Sequence, residues 1–335
     1  MTSPSLPRLS VRLPLVVLVL GIMLAAVMLL GLSAGSAGSS LGAVLNSIGS
    51  GAGGPLDEII WRLRFPRVLL AALLGATLSL GGMVFQALLR NPLAEPYILG
   101  VSGGSAIGAI IGILLGWPRF PGIWFTAFAG SMATLGVLFF MASGRAMLRA
   151  NTLLLSGVMV NAFCAAVIMF LLSMARDSRL HNIIFWMMGD LAAATTGNVI
   201  TLAATVLPCF AIIFSRAQSM NLLALGHDMA QSMGVNIKRS IALLLVVTSL
   251  MVSATVSYCG LVGFVGLVMP HLLRLILGPD HRLLAPASIL GGAAFLVGCD
   301  VAARTLPSQG EMPVGVVTAL VGAPVFIYLL RRSGR

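Results

Sequence analysis

The sequence predicts an all-α integral membrane protein of about ten transmembrane helices with both termini cytoplasmic. Three observations point there. Hydrophobic residues make up 59% of the chain and charged residues 9%, against roughly 25% charged in soluble domains, and the mean hydropathy is +1.05. The charges fall in short clusters separated by apolar runs of about 17–22 residues, the length that crosses a ~30 Å hydrocarbon core in a helix. Those runs lack period-2 alternation. Because a backbone in lipid must satisfy its own hydrogen bonds, helices are then favoured over a barrel.

The first run, Leu13–Leu32, follows Arg8 and Arg12 and resembles a signal peptide, with Gly35, Ser36, Ala37 and Gly38 small enough to suit cleavage. It is expected to stay as the first span, because nine spans would put the chain ends on opposite sides. A Gly/Ser-rich outer segment, Ser33–Leu63, closes on an acidic and then a basic cluster. Val68–Leu89, Tyr97–Leu115, Ile123–Met141 and Thr152–Ser173 are the next spans, followed by an outer polar loop, Arg176–Asp190, and the span Thr196–Phe214. In the inner loop Arg216–Arg239, residues Leu222, Leu223, Leu225, Met229, Met233 and Val235 recur at three- and four-residue spacing with His227, Asp228, Gln231 and Ser232 between them. This pattern predicts one short amphipathic helix that either rests on lipid or fits a cytoplasmic partner. Ser240–Tyr258 follows. The eighth span, Phe264–Leu277, is short and Gly-rich at its start, so a helix pair broken near Gly260–Gly266 fits as well as one rod. Pro286–Ala302 and Pro313–Leu330 complete ten spans in a single transmembrane domain, 1–335.

Charge sets the orientation. With the N-terminus inside, thirteen of the 20 bases lie at inner ends and seven at outer ends, the latter being Arg62, Arg64, Arg67, Arg119, Arg176, Arg179 and Arg304. The positive-inside rule is obeyed, so the net charge of +11 follows from topology and needs no nucleic acid. Glu95, Asp228 and Asp280 count as inner acids, while Asp300 and Glu311 are among the outer ones.

Chemistry is sparse. Lys238 is the only lysine and no phosphate-binding loop precedes it. Cys164, Cys209, Cys259 and Cys299 sit singly within or at the ends of apolar runs, as packing residues rather than metal ligands or disulfides. His271 and Asp300 are intramembrane ionisable residues and so functional candidates. His271 follows Pro270 and precedes Arg274 by one turn, however, and snorkelling toward the inner interface explains it equally. No catalytic, cofactor or metal site is assigned to the chain.

Three passages carry a resemblance. Arg90-Asn91-Pro92-Leu93-Ala94-Glu95-Pro96, continuing to Gly100-Val101-Ser102-Gly103-Gly104, resembles the loop after the second span in permeases of binding-protein-dependent importers for vitamin B12, ferric siderophores and haem. Gly263-Phe264-Val265-Gly266-Leu267-Val268-Met269-Pro270-His271, with Arg274 and Asp280-His281-Arg282, resembles their eighth-span signature. Met312-Pro313-Val314-Gly315-Val316-Val317-Thr318-Ala319, then Gly322-Ala323-Pro324-Val325-Phe326, resembles their last span.

The resemblance implies the vitamin B12 importer-like permease fold, with partners to match: a second permease copy, two cytoplasmic ATPase subunits that hold ATP and Mg, and a periplasmic or lipid-anchored binding protein. It places the chain in the bacterial cytoplasmic membrane. In the resembled family, outer arginines receive glutamates of the binding protein, and Arg64, Arg67 and Arg304 fit those positions. An inner gate is expected at Asn91 and Leu93. The second constriction is not carried over, because Arg149-Ala150-Asn151-Thr152 lacks the Ser-Thr pair of the vitamin B12 type. Leu225, Gly226, Ala230 and Gly234 match the segment that couples to the ATPase, with Ala230 and Gly234 expected to leave a smooth face and Gly234 to end the helix. The implied cargo is an iron chelate first, cobalamin second. An ion-coupled secondary transporter is the rival class, although carboxylates are nearly absent from the spans.

Overall fold

The computed structural model describes residues 9–34, 58–141, 150–307 and 310–333. Arg8, Asp57, Arg149 and most of the Gly/Ser-rich outer segment lie outside the described residues. The described chain is helical without strands. It contains seven helices long and apolar enough to cross a membrane and three shorter apolar ones, matching the ten expected spans.

α1 is Leu9–Ser33. α2, Phe65–Leu89, continues from a wide π turn at Ile59–Arg64, and Pro66, which has no N–H to donate, directly follows that turn. A 3-10 turn at Pro96–Leu99 leads into α3, Val101–Leu114. α4 is Trp124–Met141 and α5 is Ala150–Ser173. The outer loop carries α6, Asp177–Met187, before α7, Thr196–Ser215. The inner loop holds two helices rather than the one expected, α8, Ala217–Leu225, and α9, His227–Ser232. Gly226 between them has φ +125° and ψ 153°, which no helical turn accommodates. α10, Ile237–Cys259, α11, Val265–Leu277, α12, His281–Thr305, and α13, Val314–Ser333, follow.

In lipid the hydrophobic effect does not drive helices together, so close backbone approach and polar contacts must. α2 is the central element, packed on α12 and α11, while α1 runs along α12 and α3 pairs with α4. Two glycine contacts set the central spacing. A Cβ on Gly75 would overlap the Gly292 carbonyl of α12, and one on Gly82 would overlap the Gly266 carbonyl of α11.

α11 has 13 residues and is about 20 Å long, too short to cross alone. The chain is unwound between Cys259 and Val265, which settles the alternative between a rod and a broken pair. Irregular backbone at that depth is tolerated where protein satisfies it. Here the Tyr97 hydroxyl accepts from Val262 N–H and donates to Val262 C=O, both at 3.0 Å, and Asp190 N–H donates to Cys259 C=O at 2.8 Å.

Candidate functional site

The residues singled out by sequence collect at three levels of the helix frame. At the outer end, α1 stops at Ser33, leaving its last carbonyls without helical partners. Arg64 donates to Leu32 C=O at 2.8 Å and Ser33 C=O at 3.2 Å, and Arg304 donates to Gly31 C=O at 3.0 Å and Ala34 C=O at 3.1 Å. Two guanidinium groups also oppose the negative end of the α1 dipole. Arg67 is arranged differently. Its Nε donates to Asp300 at 2.9 Å and its Nη1 to Glu311 at 2.6 Å. Arg304 Nε lies 3.0 Å from the second Asp300 oxygen, a charge contact without hydrogen-bonding alignment. Asp300 is fully buried, whereas the Glu311 side chain is 48% exposed. The structure places Arg64, Arg67 and Arg304, grouped by the sequence reading, around the end of α1 and Asp300. That reading did not anticipate that each has partners within the chain, although Asp300 and Arg304 four residues apart on one helix were a legible pair.

At mid-depth the three resembling passages meet around the start of α11. Phe264 precedes it in the left-handed region at φ +68°, with its backbone N–H beside the Glu95 carboxylate. Gln86 donates to Gly266 C=O at 3.3 Å and Leu267 C=O at 3.2 Å, and a Cβ at Gly322 of α13 would strike the Phe264 side chain. Asn161 of α5 donates to Tyr97 C=O at 2.9 Å and Ile98 C=O at 3.2 Å. Glu95, counted by sequence with the inner charges, therefore lies about 20 Å from the inner end of α11. His271 is buried, its ring steeply inclined to that of Phe326 with 6.1 Å between centroids.

At the inner end, Arg12 donates to Leu277 C=O at 3.0 Å, and Asn221 joins α8 to Asp280 at 2.7 Å. Burial pushes the Asp280 carboxyl up, but hydrogen bonds from Arg282 and Asn221 outweigh it and hold it at about 2. Asn91 accepts from Leu93 N–H at 2.9 Å in a tight turn that leaves Leu93 42% exposed. The preceding Arg90, at φ +47°, donates from Nη2 to Leu223 C=O at 3.0 Å. The loop holding Asn91 and Leu93 is thereby tied to the last turn of α8, a link the sequence reading missed. Arg90 also acts on His227: burial first, then this guanidinium, lowers its pKa against the opposing pull of Asp228. Leu225, Met229 and Met233 are exposed, whereas Ala230 is fully buried and belongs to the packed side rather than to an approachable face. Gly234, at φ +83°, ends α9: its N–H bonds Gln231 C=O while Val235 N–H bonds Ala230 C=O, the Schellman arrangement.

A model of the FecCD transport family matches residues 23–332. The chain is 41% identical over 273 residues to a cobalamin import system permease protein of Halobacterium salinarum, covering 82% of this chain and 73% of that one. It is 38% identical over 281 residues to a hemin transport system permease protein of Yersinia pestis, covering 82% and 84%. A solved metal-chelate type ABC transporter, described in an inward-facing conformation, superposes with a TM-score of 0.85 at 29% identity over 95% of this chain and 99% of that one.

Proposed function

Since this chain belongs to the FecCD transport family and is a multi-pass permease of the ABC-importer type, we propose that it imports an intact metal chelate. A binding protein delivers the chelate to the outer end, and two ATPase subunits act at the inner end of a homodimer in the cytoplasmic membrane. An iron chelate, haem or a ferric siderophore, is the first cargo and cobalamin the second; the relatives similar to this chain include both a hemin and a cobalamin permease. Such a cargo carries its metal already wrapped, so the pathway has to fit a bulky molecule rather than ligate an ion.

The observation that carries this reading is the tie between an exposed inner helix pair and the loop at the inner mouth. Leu225, Met229 and Met233 offer a cytoplasmic partner an apolar surface at α8 and α9, Gly226 lets the pair bend, and Arg90 joins it to Asn91 and Leu93. Motion imposed by an ATPase on α8 would reach the proposed gate through one hydrogen bond.

Proteoliposomes holding the permease with its copurifying ATPase and binding protein should take up labelled haem, ferric siderophore or cobalamin only when ATP is enclosed on the ATPase side. Uptake driven by an ion gradient without the ATPase would replace this reading by a secondary transporter.

A further inference from the structure

The three outer arginines are not equivalent, and their internal partners rank them. Arg64 and Arg304 are committed to the C-terminal carbonyls of α1, and Arg304 also to Asp300. Withdrawing either guanidinium would strand buried acceptors, a penalty that a new contact at the rim does not offset. Among the described contacts, those of Arg67 span inside and outside. Its Nε holds a carboxylate with no exposure, and its Nη1 holds one that is 48% exposed.

We propose that Arg67 is the exchange point of the docking surface, and that Glu311 is a resident carboxylate there, displaced when an acidic side chain of the binding protein arrives. The inference rests on the docking role proposed for the outer end. It follows from charge and from burial. Among the described residues Arg67 faces two carboxylates, so adding a partner carboxylate while Glu311 swings out leaves that number unchanged. Replacing Asp300 instead would leave two arginines without their buried counter-ion, which costs far more than rearranging a rim pair. Only the Glu311 side chain, 48% exposed, has to turn away. It sits in the short connection from α12 to α13, between Gly310 at φ +73° and Met312, whose N–H is pinned to Ala303 C=O at 3.0 Å. Released, its carboxylate returns to water, whereas Asp300 has no such route. The guanidinium fork accepts the replacement in the same plane without rebuilding its contact to Asp300.

Glu311→Gln keeps the shape and removes the competing charge. In nanodiscs, the binding protein active in the uptake assay should associate with this variant about two to five times faster at low salt, and the gain should vanish at high salt. In an Arg67→Ala background the same change should give no gain. A second probe needs no partner: phenylglyoxal, which modifies accessible guanidinium groups, should label Arg67 faster in Glu311→Gln than in wild type, and Glu311→Asp should fall between them. If Arg67→Glu loses capture while Glu311→Gln binds no faster and labels no faster, the displacement is overturned and the docking role stands. If capture is unchanged in both Arg67→Glu and Glu311→Gln, the docking role itself fails.

Discussion

Arg304 shows how much of the outer end depends on one side chain. It holds two α1 carbonyls and lies against Asp300, and α1 buries little of its own surface otherwise. Arg304→Met should therefore destabilise the protein by about 2–3 kcal/mol through unpaired buried acceptors, seen as a lowered unfolding midpoint in detergent. Arg304→Lys should recover only part, because a single ammonium cannot span Gly31, Ala34 and Asp300 as a planar fork does. A wild-type midpoint for Arg304→Met would show that the Arg304 contacts are not what holds α1, leaving Arg64 and packing to do so. The same residue also illustrates the limit of reading charge in one dimension: an arginine outside the membrane looks available until its acceptors are located.

Among the elements, α2 is the one whose register everything else respects, since Gly75 and Gly82 let α12 and α11 approach its backbone. Gly82→Val should cost about 1–3 kcal/mol or more by overpacking and reduce the yield of folded protein. Gly136→Val on α4, where a Cβ meets nothing within 4 Å, should be tolerated; equal yields for the two would remove the glycine contact as the determinant of spacing. The C-terminal end of α2 carries the second prediction. Arg90→Gly keeps the left-handed backbone, which glycine adopts freely, and deletes the guanidinium on Leu223 C=O. Hydrolysis by the docked ATPase should persist while uptake per ATP falls several-fold. An unchanged ratio would reduce Arg90 to a local cap.

Across the whole molecule, the outer arginine cluster and the α8–α9 pair lie at opposite ends of the same helices, as the charge split required. Ser178 on α6 and Ser232 on α9 are both exposed. Because all four cysteines are buried, single-cysteine variants in a cysteine-free background should report cleanly. Ser178→Cys should react with an impermeant thiol reagent from outside and Ser232→Cys only from inside. The opposite pattern would invert the membrane orientation and every role that follows from it.

The sequence by itself determined the number, order and approximate length of the spans and the sorting of charge between the two faces. These are local or additive properties: a bilayer of fixed thickness reads hydropathy along about twenty residues, and loop charge is read by counting. It also marked the passages around Asn91, Phe264 and Gly322 as special without saying that they touch. Tertiary structure decided the rest, because the deciding partners are remote in sequence. Arg67 meets Asp300 and Glu311 from 233 and 244 residues away, and Gln86 meets Gly266 from 180. Gly226 turned one expected amphipathic helix into two and Ala230 turned inward, because helical periodicity fixes which residues share a face but not which face the rest of the protein covers. Which arginine can exchange its partner is settled only by the depth of the carboxylate beside it, a quantity that exists once the helices have packed.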